Sequence, residues 1–133
     1  MRLAPATVER LLGTAREARL HAYAPYSKFR VGAAVLAEDG RVFAGCNVEN
    51  SSFGLTVCAE RNAVAAAIVA AGKPIAVAVV TDEDHVGPCG ACRQVLAEFD
   101  PAMPVVLADR NGGDVRTVSL SDLLPAAFRF ENR

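Results

Sequence analysis

Near the start of the chain, apolar residues recur at helical spacing: Val8, Leu11, Leu12, Ala15, Ala18 and Ala22, with Glu9, Arg10, Arg16, Glu17 and Arg19 between them. This pattern predicts an amphipathic helix from Thr7. It stops before Pro25, because a residue preceding proline is pushed out of the α region, and Ala24-Pro25-Tyr26-Ser27 becomes a loop. Two apolar runs follow, Val31 to Leu36 and Val42 to Val48, joined by Glu38-Asp39-Gly40. An Asp-Gly pair between such runs predicts a tight hairpin of antiparallel strands.

After a Ser/Gly loop, the alanine-rich run from Cys58 to Ala71 predicts a second helix, ended by Gly72 with Pro74 beyond. Its stretch from Ala63 to Ala71 is apolar on every face, which suits burial between other elements or against another subunit. Ile75 to Val80 is expected as a fully buried strand. Pro88 opens a third helix, which runs through Cys89, Cys92, Val95, Leu96 and Phe99 and stops at Pro101. Strands at Val105 to Ala108 and Val115 to Leu120 are separated by a turn at Asn111-Gly112-Gly113, and a short helix forms around Leu123 and Leu124 before Pro125. The resulting order, α-β-β-α-β-α-β-β-α, predicts a mixed five-stranded sheet with helices on both faces.

Length and composition fit a single domain over residues 1–133. A chain of 133 residues with 52% hydrophobic residues is long enough to bury a core without disulfides. Its 14 Lys+Arg against 15 Asp+Glu form no basic run that would recognise a nucleic-acid backbone or an anionic membrane. The N-terminus has no apolar signal core and the longest apolar run is too short to cross a bilayer, so the expectation is a cytoplasmic protein. Its four cysteines are then expected as reduced thiols, metal-bound or buried.

Cys89 and Cys92 stand three positions apart at a helix start, so they face one side, and Cys-x-x-Cys is a common half of a zinc site. A thioredoxin-like redox pair uses the same spacing but leaves Cys58 unexplained. With Cys58 there are three thiolates, one short of a closed structural site, and catalytic zinc needs such an open position. Helix N-termini favour the thiolate form. Three thiolates over-neutralise a divalent ion, and Arg61 is either the compensating charge or an ordinary surface residue. Glu60 projects to a different side from Cys58, placing a carboxylate where it can carry protons between water and substrate nitrogen. Cys46 lies in a predicted strand without a partner motif and is expected as a small buried core residue. His21 and His85 lack ligand spacing.

The motifs Tyr26-Ser27-Lys28-Phe29-Arg30-Val31-Gly32-Ala33-Ala34, Gly45-Cys46-Asn47-Val48-Glu49-Asn50, Cys58-Ala59-Glu60-Arg61, Pro88-Cys89-Gly90-Ala91-Cys92-Arg93-Gln94 and Leu123-Leu124-Pro125 with Phe128 span nearly the whole chain. In this order they resemble the small homotetrameric, zinc-dependent cytidine deaminases. The resemblance implies a three-layer α-β-α sandwich, one zinc ion per subunit on Cys58, Cys89 and Cys92, and hydrolysis of cytidine and deoxycytidine to uridine and deoxyuridine with release of ammonia. Such an enzyme is a hydrolase of cyclic amidine C–N bonds serving pyrimidine salvage. The resemblance further implies that activated water attacks C4 while Glu60 protonates N3 and then the leaving amine. Asn47 and Glu49 would hydrogen-bond the sugar hydroxyls, Phe29 would pack near the nucleoside, and the backbone at Ala59 and Cys89 would read the base edge. Arg61 would hydrogen-bond the thiolates, and Phe53 and Phe128 would act across subunit boundaries.

Two positions depart from the family's usual pattern. Phe53 stands where many relatives have tyrosine, and Gly87 where serine usually precedes Pro-Cys. Other readings of the same residues are a non-catalytic zinc module holding two helices together, and a deaminase of another cytosine nucleoside, such as a nucleoside antibiotic, or of a nucleic-acid base. The first needs a fourth protein ligand, which no His or Cys obviously provides; the last needs a basic surface that is absent. Without the resemblance, Phe29 reads as core and Asn47 and Glu49 as turn formers at a strand end.

Overall fold

The computed structural model describes residues 2–111 and 114–130. Its five-stranded sheet contains β1 (Val31–Ala37), β2 (Val42–Cys46), β3 (Pro74–Thr81), β4 (Pro104–Ala108) and β5 (Val115–Ser119) in the order β2-β1-β3-β4-β5. Only β3 and β4 are parallel; the other neighbours are antiparallel. The sheet is therefore mixed, as expected. A parallel pair needs a long crossover, and here it is the 82–103 segment containing the third helix.

Alternation along the strands divides the core into two layers. Ala34 and Leu36 of β1, Ala76, Ala78 and Val80 of β3, and Val106 and Ala108 of β4 face helix α1 (Pro5–Arg19) through Leu11, Leu12 and Ala15. Ala33, Val35, Val77, Val79, Val105 and Leu107 face the opposite layer, built from α2 (Ala59–Val69), α3 (Gly90–Ala97) and α4 (Leu120–Leu123). This is the expected three-layer sandwich.

Two glycines set how closely helices approach the sheet. A methyl group at Gly32 would lie 1.9 Å from Ala15 O of α1, and one at Gly45 would lie 2.4 Å from both Ala59 O and Ala63 N of α2. No side chain fits at either place without moving a helix.

Several boundaries differ from the sequence expectation. β2 ends at Cys46, before Asn47, whose side chain adds bonds to the backbone of Phe29 and Val31 beside its own N–H bond to Val31 O. The Ser/Gly loop contains a short 3-10 turn, Phe53–Leu55. α2 ends at Val69, and the left-handed residue that follows is Ala71 (φ 61°) rather than Gly72. α3 begins after Cys89 and ends at Ala97, shorter than the run from Pro88 to Phe99. β5 ends at Ser119, whose side chain caps α4 by accepting from Ser121 N. Cys46 is half-buried, because its strand lies at the sheet edge. The Gly112-Gly113 part of the expected turn lies outside the described residues.

Candidate metal centre and active site

Cys58 and Cys89 are the N-cap residues of α2 and α3, with extended ψ values of 155° and 170°. Their carbonyls accept the first helical bonds, from Asn62 N at 3.1 Å and Arg93 N at 2.9 Å, but neither sulfur caps a backbone N–H. The thiols thus stay available at the positive ends of two helices. Cys92, in the first turn of α3, completes the cluster: Cys58 and Cys89 Sγ are 3.8 Å apart, Cys89 and Cys92 Sγ 3.4 Å, and all three sulfurs lie within 4.8 Å of one another.

The donor set fits zinc. Four-coordinate Zn–S bonds of about 2.3 Å imply S···S separations of about 3.8 Å, close to those found. Hydrogen bonding from Cys92 and Arg61 outweighs burial and pushes the Cys58 thiol down to about 5. The bond to Cys58, together with burial, pushes the Cys92 thiol up. Closely packed thiolates repel, and a divalent cation is what allows all three to ionise.

Arg61 Nη2 donates to Cys58 Sγ at 3.5 Å, and this contact with the thiolate holds the guanidinium firmly protonated. The guanidinium thus lies against a thiol of the cluster, where it can offset thiolate charge. Asn62 Nδ2 donates to Cys46 O at 2.9 Å and ties the first turn of α2 to the end of β2.

A cavity of about 260 Å³ opens beside the sulfurs, and Phe29, Asn47, Glu49, Cys58, Ala59, Glu60 and Cys89 all line it. Residues scattered through the first two thirds of the sequence therefore meet in one place. Glu60 is only 4% exposed. Burial pushes its carboxyl up to about 7, aided by the nearby Cys58 charge and opposed by Arg61. A carboxyl at that value can hold or release a proton near neutral pH.

Asn47 and Glu49 also organise the cavity wall. Asn47 Oδ1 accepts from Val31 N at 2.9 Å while its Nδ2 donates to Phe29 O at 2.8 Å. Glu49 Oε1 accepts from Tyr26 N at 2.9 Å and Ser27 N at 3.1 Å, and its Oε2 accepts from Ser27 Oγ. Hydrogen bonding from Ser27 keeps the Glu49 carboxyl below the usual carboxylate range. Both residues thus brace distant backbone rather than a local turn, and each retains spare lone pairs or N–H capacity.

Sequence reasoning missed Thr56, Val79, Thr81 and Val86, which also line the cavity. Strand alternation marks Val79 as facing the α2 layer, but nothing local marks Thr81. Phe53 is 71% exposed, stacks edge-on against Tyr26 at 5.6 Å and lines a second, adjoining cavity of about 280 Å³. Phe128 is 62% exposed and lines neither cavity; its carbonyl accepts from Gln94 Nε2 of α3.

A metal seat at paired helix starts, opening beside a carboxyl poised near neutrality, defines a hydrolytic metal centre carried on an α-β-α sandwich. Sequence comparison narrows the class. The family described as "Cytidine and deoxycytidylate deaminase zinc-binding region" matches residues 5–108. The cytidine deaminase of Sporosarcina psychrophila is 50% identical over 128 residues, covering 94% of this chain and 93% of that protein. That of Mycobacterium tuberculosis H37Rv is 48% identical over 124 residues, covering 92% of this chain and 90% of that protein. The crystal structure of cytidine deaminase from Burkholderia pseudomallei superposes with a TM-score of 0.85 at 50% identity, covering 90% of this chain and 98% of that one. The chain belongs to the cytidine and deoxycytidylate deaminase zinc-binding family.

Proposed function

We propose that the protein hydrolyses cytidine and deoxycytidine to uridine and deoxyuridine, releasing ammonia, with Glu60 carrying the protons. The observation that carries this reading is the buried Glu60 carboxyl, facing the same cavity as the thiols of Cys58 and Cys89. Zinc bound by Cys58, Cys89 and Cys92 supplies a Lewis acid that makes water a nucleophile at neutral pH. Glu60 takes a proton from the attacking water, delivers it to N3 of the pyrimidine, and moves a proton to the exocyclic amine as the C4–N bond breaks. Water adds at C4, ammonia leaves, and a C4 carbonyl remains. The raised value near 7 suits both halves of this shuttle.

The other residues orient the nucleoside. The remaining capacities of Asn47 and Glu49 suit sugar hydroxyls, and Phe29 supplies a flat apolar wall for the base. Backbone N–H groups at the starts of α2 and α3, at Ala59 and Cys89, suit the base edge. The cavity lining includes Glu49 and Glu60 and no Lys, Arg or His among the described residues, so a phosphate finds no counter-charge. A neutral nucleoside is the better fit. The adjoining 280 Å³ cavity favours a second reading, a bulkier cytosine nucleoside of the antibiotic kind.

The assembly we read is a homotetramer. Ile68 and Val69, on the outer face of α2, are 48% and 89% exposed, as are Phe53 and Phe128 at 71% and 62%. Apolar side chains this open suit contacts between copies, and Phe53 and Phe128 are the residues we place there. Reduced, metal-bound thiols suit a cytoplasmic setting; among the described residues no helix is long and apolar enough to cross a membrane. A substrate panel tests the reading. Cytidine and deoxycytidine should be consumed, cytidine monophosphate should not, and preferential turnover of a bulkier cytosine nucleoside would select the second reading.

A further inference from the structure

Resting on the nucleoside reading above, we propose that Asp82 is a positioning residue that holds the Phe29–Val31 wall of the cavity through the backbone N–H of Arg30. Phe29 and Arg30 are irregular chain just before β1, of which Val31 is the first residue, so the N–H groups of this stretch need partners beyond the sheet ladder. Side chains supply what the ladder does not. Phe29 N donates to Ser27 Oγ at 3.0 Å, Phe29 O and Val31 N bind Asn47, and Arg30 N donates to Asp82 Oδ2 at 3.0 Å. Phe29 and Val31 both line the cavity, and Arg30 between them faces away from it toward Asp82.

Asp82 is well placed to serve as this anchor. It directly follows Thr81, itself 2% exposed and part of the cavity lining, so one residue links two walls. Its Oδ1 meets Arg19 Nη1 at 2.5 Å, at the end of α1, and Arg30 Nη2 at 3.4 Å. Arg19 Nη1 also reaches Thr81 O at 3.4 Å. Partial burial opposes ionisation of Asp82, but the Arg30 N–H and the two guanidinium groups hold its carboxyl below the usual range. Oδ2 holds the cavity wall through Arg30 N, while Oδ1 ties that wall to α1 on the other face of the sheet and also meets the Arg30 guanidinium. Asp82 touches no reacting atom, so its effect belongs in nucleoside binding rather than in the proton transfers.

Three variants of the zinc-loaded protein separate positioning from bulk stability. Asp82→Ala removes both connections; the expected result is a KM for cytidine about tenfold higher, with kcat within about twofold and zinc content unchanged. Asp82→Asn keeps a carbonyl acceptor for Arg30 N and should recover most of the KM. Arg19→Ala removes the link to α1 and leaves the Arg30 N–H bond, so Tm should fall while KM stays at the parent value. Amide hydrogen exchange at Arg30 supplies a readout independent of turnover: it should accelerate in Asp82→Ala and not in Arg19→Ala. An unchanged KM in Asp82→Ala, or an equal KM rise in Arg19→Ala, overturns the proposal. If the parent itself does not turn over cytidine, the functional reading fails, and unchanged Arg30 exchange in Asp82→Ala then overturns the positioning role separately.

Discussion

The two faces of the sheet are packed by the same means and put to different uses. On one face α1 lies on alanine, valine and leucine positions through Leu11, Leu12 and Ala15, with no ionisable side chain in the cluster. On the other, α2 and α3 rest on an equally apolar layer, but their N-terminal ends carry Cys58, Glu60 and Cys89 to the cavity, with Cys92 buried beside them. Gly32 brings α1 close and Gly45 brings α2 close. Close packing on the first face contributes stability alone, whereas on the second it also fixes where a buried carboxyl and three sulfurs stand.

The contrast is sharpest for one substitution on each face. Cys89→Ala should abolish bound zinc and cytidine turnover while the folded sheet persists by circular dichroism, because its side chain is exposed and outside both core clusters. Leu12→Ala should destabilise by about 2–5 kcal/mol and leave turnover per folded molecule intact. Denaturant melts and metal analysis check both. Turnover lost in Leu12→Ala at full folding would break the division between faces.

A subtler pair is Gly45→Ala and Gly32→Ala. Each forces a helix off the sheet, and each should lower Tm. Only Gly45→Ala should also lower kcat, by up to about 100-fold, since displacement of α2 misplaces Glu60. Equal kcat losses in both would show that the whole molecule, rather than one face, aligns the site.

The buried carboxyl also predicts a pH signature on its own face. Burial raises Glu60 from 4.5 to about 7, so the folded state favours the protonated form. No penalty exists below the unfolded value, and the full penalty, about 3 kcal/mol, is present above the folded one. Metal-free Glu60→Gln should therefore be more stable than the metal-free parent near pH 8, with the advantage gone near pH 4. Urea melts at both pH values check the sign. The smallest effect is expected at the far end of α2, where Ala71→Gly should relieve left-handed strain (φ 61°) and raise stability by about 0.5–1 kcal/mol.

Local patterns make the sandwich legible. The Asp39-Gly40 hairpin, the helical spacing of α1 and the proline stops place most elements within a few residues. The metal seat is legible for the same reason: Cys58 and Cys89 sit at recognisable helix starts, and Cys92 follows by one turn. What stays hidden depends on distant segments. Asn47 and Glu49 act on residues 16 and 23 positions earlier in the chain, and Asp82 reaches Arg30 across 52 positions. No periodicity encodes such pairings. Ala71 escapes notice as the left-handed residue because α2 stops sooner than its alanine content suggests.

The most direct test of the account is ammonia release from cytidine by the zinc-loaded protein beside Glu60→Gln, with zinc measured in both. The account predicts one zinc per chain in each, turnover by the parent, and a loss of about 10³-fold in the variant. Turnover by Glu60→Gln at the parent rate, or none by a fully zinc-loaded parent, would contradict it.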